Sequence, residues 1–270
     1  EADALPLGSG AVAGTNYAID TGALAARLGF SRVVANSIDA SSDRDFVSSF
    51  LHACALTMVH LSRFAEDVII FSGEEHAFFE LSDASSTGSS MMPQKKNPDP
   101  LELVRGKTGR TIGHLAGWLA TMKGLPSGYN KDLQEDKEAV FDADATLAAS
   151  LEAVGVVVDG LAVNRDRAER AASGLLLATD VADYLVARGV PFRRAHELVA
   201  AMTRRLLAEG RSFEELSPAE WRGFSDLFGD DIVSRITAAA SVGARRTPQS
   251  TRPEAVLAAH GELRTWLRSR

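Results

Sequence analysis

RDFVSSFLHACALTMVHLSRFAEDVIIF, residues 44–71, decides the fold. Val47, Leu51, Cys54, Met58, Leu61, Ala65 and Val68 recur at intervals of 4, 3, 4, 3, 4 and 3, the spacing of an apolar seam on a helix packed in coiled-coil fashion. Phe46, Phe50 and Phe64 add apolar surface beside that seam, so the helix is expected to meet neighbours on more than one side. At 1.5 Å per residue it extends roughly 40 Å. Two further stretches repeat the pattern. One carries Leu101, Val104, Thr108, Thr111, Leu115, Trp118 and Met122; the other carries Val140, Asp144, Leu147, Leu151, Val154, Val158 and Leu161, with Asp144 a polar exception. Three long helices with matched seams predict an all-α fold built on a helical bundle. Residues 76–81 supply one short strand at most.

Beyond Arg165 the seams shorten. Residues 181–188 and 192–209 read as medium helices broken at Gly189-Val190-Pro191, followed by shorter pieces, a polar loop over 241–253 and a last helix over about 254–267. The expected division is a central bundle domain, 1–172, and a smaller helical carboxy-terminal domain, 173–270. Ala and Leu dominate and only 7% of residues are aromatic, which favours helix throughout.

Composition narrows the function classes. With 29 basic and 36 acidic residues the net charge is -7, against a non-specific nucleic-acid partner, which needs a basic face. No apolar run is long enough for a membrane span. The single cysteine, Cys54, rules out an internal disulfide framework and a cysteine-rich zinc site, and a reducing, cytoplasmic location is the simplest expectation. The six histidines form no H-E-x-x-H pair, so no metal site is expected.

Two polar stretches could carry chemistry. Residues 82–90 read SDASSTGSS, seven of nine being Ser, Thr or Gly, and run into MMPQKKNPDP, residues 91–100. Asp99, Pro100 and Glu102 read as a capping box opening the next helix. A helix amino end with Lys95, Lys96 and Asn97 just upstream suits a carboxylate or phosphate, and a serine-bearing flap could close over it. An ordinary linker and cap would read the same way. The second stretch is Tyr129, Asn130, Lys131, Asp132, Gln134, Glu135, Asp136 and Lys137, eight polar groups in nine positions, which a solvated helix entrance would also explain; Asp132 with Glu135 is the expected cap. No G-x-S-x-G elbow accompanies the serines, against Ser-His-Asp catalysis. The intervening helix of about 23 residues holds the two stretches roughly 34 Å apart. If both are functional, chains associate so that unlike ends meet.

GSSMMPQKKNP, residues 88–98, resembles the G-S-S-x-M-P-x-K-x-N-P signature of the fumarase/aspartase superfamily. SSDRDFV (41–47), STGSSMMPQKKNPDPLELVRGKTGR (86–110), KGLPSGYNKDLQEDKEAVFD (123–142) and ATDVADYLVARGVPFRRAHE (178–197) are similar to the argininosuccinate lyases within it. The resemblance implies a homotetramer with a central long-helix bundle, active sites shared between subunits, and cofactor-free, reversible β-elimination of argininosuccinate, a dicarboxylate, to arginine and fumarate. It implies Ser89 as the proton-abstracting base with its oxyanion supported by Lys95, Glu102 orienting a histidine acid, Asn97 on a substrate carboxylate, Tyr129, Gln134 and Lys137 binding substrate from another subunit, and Arg44 as a further substrate contact or a helix anchor. The family's chain reaches further on its amino-terminal side, and its histidine-bearing motif has no match here, so the expectation is a bundle lacking its first helices. A non-catalytic, crystallin-like helical scaffold or an inactive fragment is the alternative of a different class; fumarase and adenylosuccinate lyase are the sibling alternatives.

Overall fold

The computed structural model describes residues 2–88, 91–92 and 96–270. It divides into two compact units, 1–164 and 165–270. The first opens with α1 (Thr21–Leu28) and α2 (Ser37–Ser42) and is dominated by three long helices, α3 (Asp45–Ser72), α4 (Asp99–Met122) and α5 (Asp136–Asp159). The α3 seam is buried as its spacing requires, with Leu61 half-covered. Polar groups between the helices fix their directions. Trp118 Nε1 donates to Ser48 Oγ at 3.1 Å, and the Thr108 hydroxyl reaches the Met58 carbonyl at 3.1 Å, so α3 and α4 run antiparallel. His114 meets Asp142 while Arg110, a turn earlier, reaches Thr146, a turn later, which makes α5 antiparallel to α4 and parallel to α3.

The third seam holds at alternate positions, where Val140, Leu147, Val154 and Leu161 pack half-buried against the core, and fails between them. The buried stripe of α5 is Ala143, Thr146, Ser150 and Val157, while Asp144, Leu151 and Val158 face outward. Small residues inside let helices approach closely; Thr146 Oγ1 accepts from Arg110 and Ser150 Oγ donates to the Thr146 carbonyl, so the inward hydroxyls are satisfied.

Both expected caps are replaced. Asp99 does not cap α4: its carboxylate accepts the Thr87 hydroxyl at 2.5 Å, and Pro98 precedes the helix with no side-chain cap. Residues Lys131–Glu135 form a 3₁₀ turn that runs directly into α5, so backbone bonds do the work expected of Asp132 and Glu135. Strand content also exceeds the expectation of one segment. Among the described residues six two-residue strands form three ladders: β1 (Ala4–Leu5) with β2 (Arg32–Val33), β3 (Phe79–Glu80) with β6 (Ala162–Val163), and β4 (Thr87–Gly88) with β5 (Lys96–Asn97). Each is a point where two loops pass, too short to show alternation in the sequence.

The second unit contains α6 (Arg165–Ala171), α7 (Ala178–Val186), α8 (Phe192–Glu209), α9 (Pro218–Phe224), α10 (Ile232–Arg235), α11 (Ala238–Gly243) and α12 (Pro253–Arg268). Its core gathers Val181, Leu185, Met202, Leu206, Phe213, Trp221, Phe228 and Ile232. Ser217 caps α9, reciprocated by Glu220, and Arg211 Nη1 donates to Glu220 at 2.8 Å. The guanidinium, then the Ser217 amide and hydroxyl, lower the Glu220 carboxyl from 4.5 to about 2. Folding therefore favours the ionised form. The contribution is complete above pH 4.5 and is lost as pH falls towards 2. In acid titrations followed by circular dichroism, wild type is expected to exceed Glu220→Gln in stability near neutrality, with the gap closing across that window.

Candidate active site

Residues expected to be functional fall at the two ends of the bundle. At the amino end of α4, the β4–β5 ladder pairs Thr87 with Asn97 and Gly88 with Lys96, and so brings the serine segment beside KKNP. Asn97 is half-buried there. Ser89 and Lys95 lie outside the described residues. Lys96 is not the unpaired cation that its place in KKNP suggests. Its ammonium meets Asp83 at 3.0 Å, Glu80 at 3.5 Å and the Leu81 carbonyl at 3.1 Å, and the bond to Asp83 above all raises its pKa. It ties β5 to the chain following β3. Beside it opens a cavity of about 420 Å³ lined by Ser72, Phe79, Leu81, Lys96 and Val163 among others. Glu102 is exposed one turn before Arg105, whose charge it supports. The histidine on the same helix, His114, is engaged elsewhere: its Nε2 lies 2.6 Å from Asp142 Oδ2, twelve residues from Glu102 or roughly 18 Å along the axis.

Four expected substrate-binding residues lie towards the opposite end, in two contact groups: Tyr129 with Gln134, and Arg44 with Lys137 through Asp136. Gly128 has φ +98°, a backbone conformation open chiefly to glycine, and turns the chain into Tyr129. The Asn130 amide holds that turn by donating to the Pro126 carbonyl at 3.1 Å. Gln134, in the 3₁₀ turn, donates through Nε2 to the Tyr129 hydroxyl. Two residues on, Asp136 opens α5 and takes Arg44 Nε at 3.2 Å on one oxygen and Lys137 Nζ at 3.0 Å on the other. Arg44 immediately precedes α3. The sequence marked Arg44, Tyr129, Gln134 and Lys137 but not the carboxylate joining two of them, because a charge within a polar run reads as solvated. Asp142, which collects Arg110 Nε at 2.9 Å as well as His114, was also missed; the Arg110/His114 spacing of four was its only signal.

The 24 residues of α4 set these two ends about 36 Å apart along one chain. Among the described residues no group of three His, Cys, Asp or Glu side chains is placed to hold a metal, and no helix is long and apolar enough to cross a membrane.

Long antiparallel helices presenting polar clusters at opposite tips are the architecture of an all-helical lyase class. A lyase family model matches residues 1–113, and an argininosuccinate lyase carboxy-terminal model matches residues 175–243. Curated relatives include argininosuccinate lyases of Moorella thermoacetica, 56% identical over 94% of this chain and 55% of that protein, and of Synechocystis, 52% identical over 90% and 53%. Among solved structures, an EDDS lyase in complex with formate is 28% identical with a TM-score of 0.84, and a variant of that enzyme with bound fumarate scores 0.83; each match covers 99% of this chain and 56% of the other. Over nearly all of its own length the chain is about half identical in sequence to curated argininosuccinate lyases. It spans about half the length of the curated relatives it matches.

Proposed function

We propose that this chain works in a carbon–nitrogen lyase that cleaves argininosuccinate reversibly into arginine and fumarate, as a cytoplasmic, cofactor-free homotetramer. What supports this reading is the likeness to argininosuccinate lyases, together with the Tyr129–Gln134 pair and the Arg44–Asp136–Lys137 group towards one tip of the bundle and Asn97 at the other. A proton leaves the carbon next to a carboxylate, the adjacent carbon–nitrogen bond breaks, and the departing nitrogen takes a proton as arginine is released. The intermediate places a second negative charge on the carboxylate, so preorganised donors and cations lower the barrier. Ser89, supported by Lys95, is the base. Asn97 holds a carboxylate, Glu102 orients the histidine acid, and Tyr129, Gln134 and Lys137 come from a neighbouring chain. The fumarate bound by the structurally similar EDDS lyase variant supports a dicarboxylate pocket on this scaffold.

Association is supported by the outer faces of the long helices. Phe46, Phe50, Ile112, Leu119, Phe141 and Leu151 are each between 38% and 67% exposed, more large apolar surface than an isolated bundle leaves to water without purpose. The test is fumarate release from argininosuccinate, followed by ultraviolet absorbance. Turnover that falls by about 10²–10⁴-fold in Ser89→Ala is the expected result. A well-formed tetramer that releases no fumarate would instead identify a helical assembly unit without catalysis.

A further inference from the structure

The carboxylate between Arg44 and Lys137 has a role that the proposed reaction does not yet assign. Among the described residues, Asp136 is the one charged residue in the buried class, with its side chain 12% exposed. A carboxylate is seldom buried unless it is paired, and here each oxygen has its own cation. The two cations differ. Arg44 is 19% exposed and committed on two sides, through Nε to Asp136 and through Nη1 to the Asp43 carbonyl at 2.6 Å. Lys137 is 54% exposed. Arg44 and Asp136 thus form a neutral inner pair, and the positive charge left over sits on Lys137, facing outward.

Lys137 also stands where a helix would not choose it. A cation in the first turn opposes the helix dipole, and neighbouring residues on a helix do not ordinarily face one another. Its ammonium nevertheless folds back to within 3.0 Å of Asp136 Oδ1. We propose that Asp136 is a positioning residue: neutralised by Arg44, it fixes the Lys137 ammonium at the start of α5, where that ammonium receives a carboxylate of the substrate. Arg44 is then the counter-ion of Asp136 and not a substrate contact.

This inference rests on the proposed lyase reading, and the experiment separates the two. KM and kcat for argininosuccinate are measured for wild type and Asp136→Asn, and fumarate binding is titrated by calorimetry for these two, Lys137→Met and the double variant. Absent wild-type turnover sinks the reading of function, and the calorimetric comparison then carries the inference alone. Expected are a KM, or a fumarate dissociation constant, raised on the order of 10-fold in Asp136→Asn with kcat changed much less, and no further rise when Asp136→Asn is added to Lys137→Met, because the partner through which it acts is gone. Asp136→Glu keeps the charge but displaces it by one methylene, so it should fall between wild type and Asn; if the Asn variant does not assemble, Glu carries the same comparison in both backgrounds. An unchanged constant in the wild-type background, or an equal rise in both backgrounds, overturns the proposal. A purely structural Asp136 would lower the unfolding midpoint without this dependence on Lys137.

Discussion

Ser89→Ala chains and Lys137→Met chains, unfolded and refolded together in equal amounts, are expected to recover about a quarter of wild-type turnover, although each variant alone is nearly inactive. The recovery follows from helix length. Asn97 precedes α4 and Tyr129 follows it, with 24 helical residues between them, so the tips lie about 36 Å apart. A small metabolite cannot touch both tips of one rod. A site that uses both must join the amino end of α4 in one chain to the Tyr129–Lys137 end in another, as antiparallel association provides. In a mixed assembly, the intact serine of a Lys137→Met chain meets the intact lysine of a Ser89→Ala chain at about one site in four, if chains assort randomly. The measurement is fumarate release against mixing ratio, with native mass spectrometry to confirm mixed assemblies. Mixed assemblies that remain as inactive as their parents would place each complete site within a single chain and contradict the shared-site reading.

The long helices were legible because α3 and α4 bury what their spacing says they bury, down to Cys54 and Met58 in α3 and Trp118 in α4. The third seam holds at Val140, Leu147, Val154 and Leu161 and fails at Asp144, Leu151 and Val158 for a physical reason. Its inward positions are Ala143, Thr146 and Ser150, and a search for large apolar residues passes over small ones chosen for close approach. It settles on Leu151 and Val158, which point outward. Caps were misread for the opposite reason. The capping box at Asp99 is a local pattern, but Thr87, twelve residues away, takes the carboxylate. The site divides along the same line. Arg44, Tyr129, Gln134 and Lys137 were implied by the family resemblance alone, since local composition read equally as a solvated helix entrance. Burial of Asp136 and the engagement of Lys96 by Asp83 and Glu80 are tertiary facts that no spacing encodes.

The second unit shows the limit most clearly, and Trp221→Ala is expected to cost it about 3–5 kcal/mol. Past Gly210 the chain has no sustained period, only short pieces, yet Phe213, Leu216, Trp221, Phe228, Ile232 and Ile236 all reach the core. Trp221 sits in the middle, 1% exposed, stacked on Phe213 with ring centroids 5.9 Å apart and met edge-on by Phe228 at 4.9 Å. Truncation there opens a cavity among rings held by short loops and turns. The loss is a large part of the roughly 5–15 kcal/mol that keeps an ordinary domain folded. Trp221→Phe tests the cause. The indole Nε1–H is buried without a hydrogen-bond partner, so its ring contributes through packing, and phenylalanine gives up some of that packing while removing an unsatisfied donor that itself costs about 1–3 kcal/mol. The two changes oppose each other, and the Phe variant should lie much closer to wild type than to Ala. Denaturant unfolding by far-ultraviolet circular dichroism measures both variants. Equal losses for Phe and Ala would mean that the indole nitrogen is satisfied in solution and that polar pairing, not ring packing, holds the centre of this core.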